Sequence, residues 1–230
     1  MFRRLLAVSL VVVATPAAAQ GPIDFSKVQA TRDSFVVLVQ GTPRGFEVTA
    51  VERSADGIVV RDETDLMPLL KQDTEVRLGP GGEMRSVKQR GSMQGQPMTI
   101  DVRYLGGRAT GDASVPGASG AIERKVVGAD VPPGTIDDNV VLPLLVGLPW
   151  APGAAFTLPV FASGQNELRT VRLTVVGTES LTVPAGGFEV YKVELTGLPS
   201  PLTLYVNAVA PHRVLKVVPQ GSPLEFVAGK

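Results

Sequence analysis

Turn signals recur along the length of this chain, and short runs of alternating polarity lie between them. Ser54-Ala-Asp-Gly57, Gly79-Pro-Gly-Gly82, Gln94-Gly95, Gly106-Gly107, Pro132-Pro-Gly134, Ala185-Gly-Gly187 and Gly197 are the punctuation. Thr99–Tyr104 is the cleanest run, with Ile100, Val102 and Tyr104 on one face and Thr99, Asp101 and Arg103 on the other. Leu202, Leu204 and Val206 alternate with Thr203, Tyr205 and Asn207 in the same way. A period of two turns one face to a core and the other to water. Many short strands with such turns specify an antiparallel sandwich or barrel. No linker divides the chain and no repeat is visible, so residues 20–230 read as a single β-rich domain.

Phase slips constrain the shape further. In the hairpin Leu181–Leu195, Phe188 and Val190 point one way while Tyr191, Val193 and Leu195 point the other. In His212–Val218, Val214 and Val218 oppose Leu215 and Val217. Strands apolar on both faces are covered on both sides or carry a bulge. The expectation is a curved antiparallel sheet, or half-open β-barrel, of about 10–11 strands. One segment departs from the β pattern. Residues 136–147 read as a short apolar helix, capped by Thr135, Asp137 or Asp138, kinked near Leu142 by Pro143 and ended by Gly147 and Pro149. Being apolar nearly all round, it needs burial, and the hollow of a curved sheet supplies that. The stretch from Gly106 to Ala121, rich in Gly, Ala and Ser, reads as a mobile loop or a weak edge hairpin.

The first 19 residues have the order of a secretory signal peptide. Arg3 and Arg4 precede an apolar run of about ten residues, and Ala17-Ala18-Ala19 forms an A-x-A cleavage site. Such a run is half of the roughly 20 residues that span a bilayer, and no later segment is longer, so the chain is not expected to cross a membrane. The chain has no cysteine. That removes disulfides, thiolate nucleophiles and the lipid-bearing cysteine of a lipoprotein. A periplasmic location without a lipid anchor follows as the expectation. Of the 22 basic residues two leave with the leader, so 20 face 22 acidic ones. No basic stripe is present, which argues against nucleic acid as a partner.

The search for chemistry yields no catalytic constellation, no cofactor loop and no metal set. His212 is the only histidine; it follows Pro211 at the start of a strand and reads as a surface or strand-end residue. No serine lies in a G-x-S-x-G elbow, Ser119 coming nearest with Ala121 in place of the second glycine. Asp137 and Asp138 read as capping residues, and Asp62, Glu63 and Asp65 as a solvated polar face. Met84, Met93 and Met98 read as core filling, and Trp150 as a plug at one end of the core.

A resemblance rests on the order of several segments. The apolar helix opened by Ile136-Asp-Asp-Asn139 is followed by Leu148-Pro-Trp-Ala-Pro-Gly153, then Val175-Val-Gly-Thr-Glu-Ser180 leading into the Leu181–Leu195 hairpin. Val183–Phe188, Leu204–Val206 and Pro211–Arg213 complete the pattern, with His212 intervening between proline and arginine. From Ile136 to Val227 the chain resembles the exported bacterial family called domain of unknown function 3108. The resemblance implies a curved antiparallel sheet with a helix in its hollow, distantly similar to periplasmic lipoprotein and lipid carriers, and it brings no catalytic residues. Two functions follow as expectations. One is a non-enzymatic carrier holding a lipid, acyl chain or hydrophobic peptide between sheet and helix, with Val141, Leu144, Leu145, Leu148, Trp150, Tyr104, Phe188 and Tyr191 as candidate pocket residues and no cofactor. The other is a structural protein of the cell envelope with a filled core, which receives a protein partner at a strand edge.

Overall fold

The computed structural model describes residues 22–117 and 119–229, so the expected signal peptide lies outside the described residues. Eight strands come first: β1 (Thr31–Val39), β2 (Thr42–Ser54), β3 (Gly57–Leu66), β4 (Leu70–Leu78), β5 (Met84–Met93), β6 (Gln96–Leu105), β7 (Arg108–Pro116) and β8 (Ile122–Asp130). The two-residue β9 (Ile136–Asp137) leads into the helical turns. Six strands follow: β10 (Ala155–Ala162), β11 (Glu167–Val183), β12 (Gly186–Thr196), β13 (Leu202–Asn207), β14 (Val214–Pro219) and β15 (Leu224–Ala228). Among the described residues fifteen strands thus stand where ten or eleven were expected. Part of the excess is the Gly106–Ala121 stretch, which supplies β7, the first strand of the edge hairpin β7–β8.

All fifteen strands join one sheet in the order β8 to β1, then β15 down to β9. The meander therefore pairs the first strand with the last in the middle of the sheet. Its two free ends, β8 and β9, are neighbours in the sequence. The sheet curls until these ends approach, yet it does not close. Asn166, in the turn after β10, accepts a hydrogen bond of 3.2 Å from the Gly128 amide on β8 across the gap. A row of valines, Val51, Val60, Val76, Val87 and Val102, crosses five strands on the inner face in matched register. All five are buried in a core that also takes in the helical segment.

The expected helix over 136–147 is three short turns after β9. They are a 3₁₀ turn (Asp138–Val140), the single α-turn α1 (Val141–Leu144) and a 3₁₀ turn (Leu145–Gly147). Pro143 explains where α1 starts. A proline fits the first turn, where its missing N–H has no partner to lose, and nowhere deeper. Ile136 and Asp137 instead pair in parallel with β10. Asp137 caps the first 3₁₀ turn, its side chain accepting from the Asn139 amide.

The phase slips mark bulges and a second core. Between Val175 and Gly177 β11 carries one residue more than β12, and Leu215 is the extra residue of β14 opposite β13. An extra residue reverses the alternation beyond it. The distal hairpin (Leu181, Val183, Phe188, Val190) accordingly leaves the main core and packs with Phe35, Leu215, Val227 and Ala228 in a smaller cluster. The Ala185 amide donates 3.2 Å to the Ala228 carbonyl and ties the hairpin tip down.

Candidate functional site

A cavity of about 400 Å³ lies where the two clusters meet. Phe35 of the small cluster, Val217 of the main one, and Phe226, which packs against both, stand in its wall. Leu142, Pro143 and Val146 enter from the helical turns, Leu202 and Val214 from β13 and β14. Exposed Lys27, Gln29 and Arg213 mark the mouth, with half-buried His212 beside them. Arg213 is held by Asp33 of β1 at 3.1 Å, and His212 Nδ1 lies 3.0 Å from the Asn207 carbonyl oxygen. His212 is thus a strand-end residue, as expected, and also part of the cavity wall.

One side of the wall is polar because of the register of β1 to β5. Asp33, Thr49, Asp62, Thr74 and Gln89 form one transverse row; Phe35, Glu47, Thr64, Gln72 and Gly91 form the next. Both rows share the face of the valine row, so they point inward. Glu47 and Thr49 reach the cavity. The Asp62 carboxylate accepts from Thr49 Oγ1 at 2.8 Å and Thr64 Oγ1 at 3.0 Å. Gln89 Nε2 donates to Gln72 Oε1 at 2.7 Å. Thr74 Oγ1, on the same row and buried, is the side-chain polar atom among the described residues that is enclosed without a hydrogen-bond partner.

Burial first, and then the nearby Asp62 carboxylate, push the Glu47 carboxyl up to about 8. Asp62 is also raised, chiefly by burial, although its hydrogen bonds from Thr49, Thr64 and Gln72 oppose that shift. Asp62 therefore corrects the expectation of a solvated Asp62–Glu63–Asp65 face. Glu63 is exposed and Asp65 reaches the surface near Lys71, whereas Asp62 lies in phase with Val60 and Thr64 and points inward.

A pH dependence follows from Glu47. Its folded pKa lies above the unfolded value near 4.5, so the folded state holds more protons between these limits and stability falls as pH rises from about 4.5 to about 8. Glu47→Gln is expected to flatten this decline and to be the more stable protein at pH 8, by on the order of 2 kcal/mol. Thermal unfolding at pH 5, 6.5 and 8 measures it; parallel curves for both proteins would remove Glu47 as the cause.

The eight residues selected from the sequence are not brought to this cavity. Val141, Leu144, Leu145, Leu148, Trp150 and Tyr104 are buried together in the main core. Tyr191 packs on that core from the side, and Phe188 lies in the separate small cluster. It is the opposite side of the turns, through Leu142, Pro143 and Val146, that faces the void. Trp150 plugs the core as expected: its Nε1 donates 2.8 Å to the Leu145 carbonyl and its ring meets Phe156 edge-on at 5.2 Å. Met84 and Met98 are buried core residues, whereas Met93 reaches the surface.

A second polar centre pins the helical turns across the hollow. Asp137, fully buried, accepts from Tyr104 Oη at 2.5 Å, from the Asn139 amide at 3.0 Å and from Asn139 Nδ2 at 2.6 Å. Burial and then the Asp137 carboxyl push the Tyr104 phenol well above its usual range, so it stays a donor. The Asp138 carboxyl is pushed well above its usual range, by burial first and by Asp137 next. These contacts orient β9 and the turn after it. A wider groove of about 1,020 Å³ opens near Phe25, Gly82, Leu105 and Pro133, walled largely by exposed turn residues. Among the described residues no group of three or more His, Cys, Asp or Glu is placed to hold a metal ion, and no helix is long and apolar enough to cross a membrane.

A barrel-like antiparallel sheet, left open at one seam and filled by apolar turns with a cavity beside them, is the class this fold defines. The chain belongs to the DUF3108 family of proteins of unknown function, whose model matches residues 79–225. The match thus begins well before the Ile136 boundary drawn from the sequence. Among solved structures the chain is similar to a protein of Brucella abortus described as a beta-barrel-like protein of domain of unknown function DUF1849. The TM-score is 0.53 at 10% identity, covering 87% of this chain and 95% of that one. This likeness is one of fold alone. A comparison with curated proteins returns no match.

Proposed function

We propose that this protein is a non-enzymatic carrier of the bacterial periplasm that holds an apolar ligand, an acyl chain or similar molecule, in the cavity between the two clusters. The observation that carries the reading is the cavity itself. Its volume of about 400 Å³ falls within the roughly 300–1,000 Å³ of small-molecule sites, and it has the mostly apolar lining with a few placed polar groups that such sites share. Phe35, Leu142, Val146, Val214, Val217 and Phe226 supply the apolar wall. The basic, apolar and small-residue order of residues 1–19 supports export.

Binding of a fluorescent fatty alcohol to the purified protein, with native mass spectrometry of material from its own host, tests this directly. Val146→Trp places an indole in the void from a half-buried position and is expected to lower affinity at least tenfold with the fold retained. Equal binding by wild type and variant would place the ligand elsewhere. The alternative, an envelope protein that receives a partner strand, is favoured by β8. It ends the sheet with Val126 80% exposed.

A further inference from the structure

Resting on the reading of the cavity as a ligand site, we propose that its polar wall is a head-group subsite for a cationic amphiphile. The ammonium of a long-chain amine seats against Glu47, with the Asp62 carboxylate in the layer behind it, and the wall rejects a fatty-acid carboxylate. Two observations support this choice. Glu47 stands in the cavity wall, and among the described residues its side chain makes neither an ion pair nor a hydrogen bond. Asp62 lies diagonally across the β2–β3 pairing, behind the wall; its carboxylate accepts from Thr49, Thr64 and Gln72, makes no ion pair among the described residues, and adds negative charge beside Glu47.

The charges around Glu47 decide the sign of the head group. Asp62 faces it from β3, with Asp73 acting on Asp62 from β4; Asp33 stands on β1, already paired with Arg213. Lys27 and His212 lie at the mouth. A ligand carboxylate beside Glu47 would add a like charge in a poorly solvated place, and burying an unpaired charge is expensive. An ammonium carries donors that the Glu47 carboxylate and the Thr49 hydroxyl, both in the wall, can accept. A metal ion fits less well, since the described residues hold no ligand cluster for one.

The pairing has a pH signature. Glu47 titrates near 8, so an ammonium displaces its proton on binding and affinity climbs as pH rises towards and through that value. The amine itself, with a pKa on the order of 10 like lysine, stays charged over that range.

The test titrates the purified protein with decylamine, decanol and decanoate at pH 6 and pH 8.5 by calorimetry. Decylamine is expected to bind at least tenfold tighter than decanoate at pH 8.5, and at least fivefold tighter at pH 8.5 than at pH 6. Glu47→Gln, and Asp62→Asn as a second variant, are expected to lower the amine-to-alcohol affinity ratio about tenfold. Decanol binding with decanoate equal to or tighter than decylamine overturns the head-group assignment and leaves the cavity reading standing. No binding of any of the three at either pH overturns both.

Discussion

Asp137→Ala is expected to destabilise the protein by about 3–5 kcal/mol, among the larger effects that a single substitution produces. The fully buried carboxyl accepts three hydrogen bonds, and its removal leaves the Tyr104 hydroxyl and both Asn139 donors without it. Hydrogen bonds to a charged group contribute roughly 1.5–3 kcal/mol each, and a buried donor left unsatisfied costs about 1–3. Loss of the cap on the 138–140 turn adds about 1. Tyr104→Phe, which removes one donor and keeps the ring against Phe161, is expected to cost about 1–3 kcal/mol. Urea unfolding followed by circular dichroism measures both, and the double variant gives the coupling. A cost under about 1 kcal/mol for Asp137→Ala would show that the turns stay in the hollow without this pin.

Trp150→Ala is expected to cost about 3–5 kcal/mol, the range for emptying an aromatic site in a core. The indole is buried, so its deletion opens a void beside Phe156 and removes one of the two donors to the Leu145 carbonyl, the Leu148 amide being the other. Trp150→Phe restores ring volume without the N–H and is expected to recover most of the loss. The wild-type protein offers a direct readout, because Trp150 is its sole tryptophan and its emission reports burial. Since Trp150 lies in the main core and away from the cavity, Trp150→Phe is expected to leave ligand affinity within about twofold. A tenfold loss would mean that the two regions are coupled.

Much of the fold is legible in the chain because local rules agree with the global outcome. Turn residues separate runs of period two, and the alternation at Thr99–Tyr104 matches its burial residue for residue. The double-sided hairpin signalled a bulge or a second cover, and both are present. Asp137 was readable as a cap because short polar side chains satisfy the amides that start a turn. The cavity was less accessible. In β3 the alternation Val60, Asp62, Thr64, Leu66 already places Asp62 in phase with the core, and in β2 Glu47, Thr49 and Val51 do the same. A charged residue in phase with buried neighbours was the available signal, and a cluster of acids beside Arg61 obscured it.

By itself the sequence determined the β-rich class, the hairpin positions, the apolar turns that need burial and the family to which the chain belongs. These depend on neighbours a few residues apart, where dihedral preferences and alternation act. Only the tertiary structure decided that β1 pairs with β15 and that the seam falls in mid-chain. It also decided that Phe35 and Val217 belong to different clusters and wall one void. Those outcomes turn on bulges that shift the register by one residue, and on the close packing of surfaces far apart in the chain. A one-residue slip reverses which face is buried beyond it, and local spacing alone does not fix where two such faces will meet.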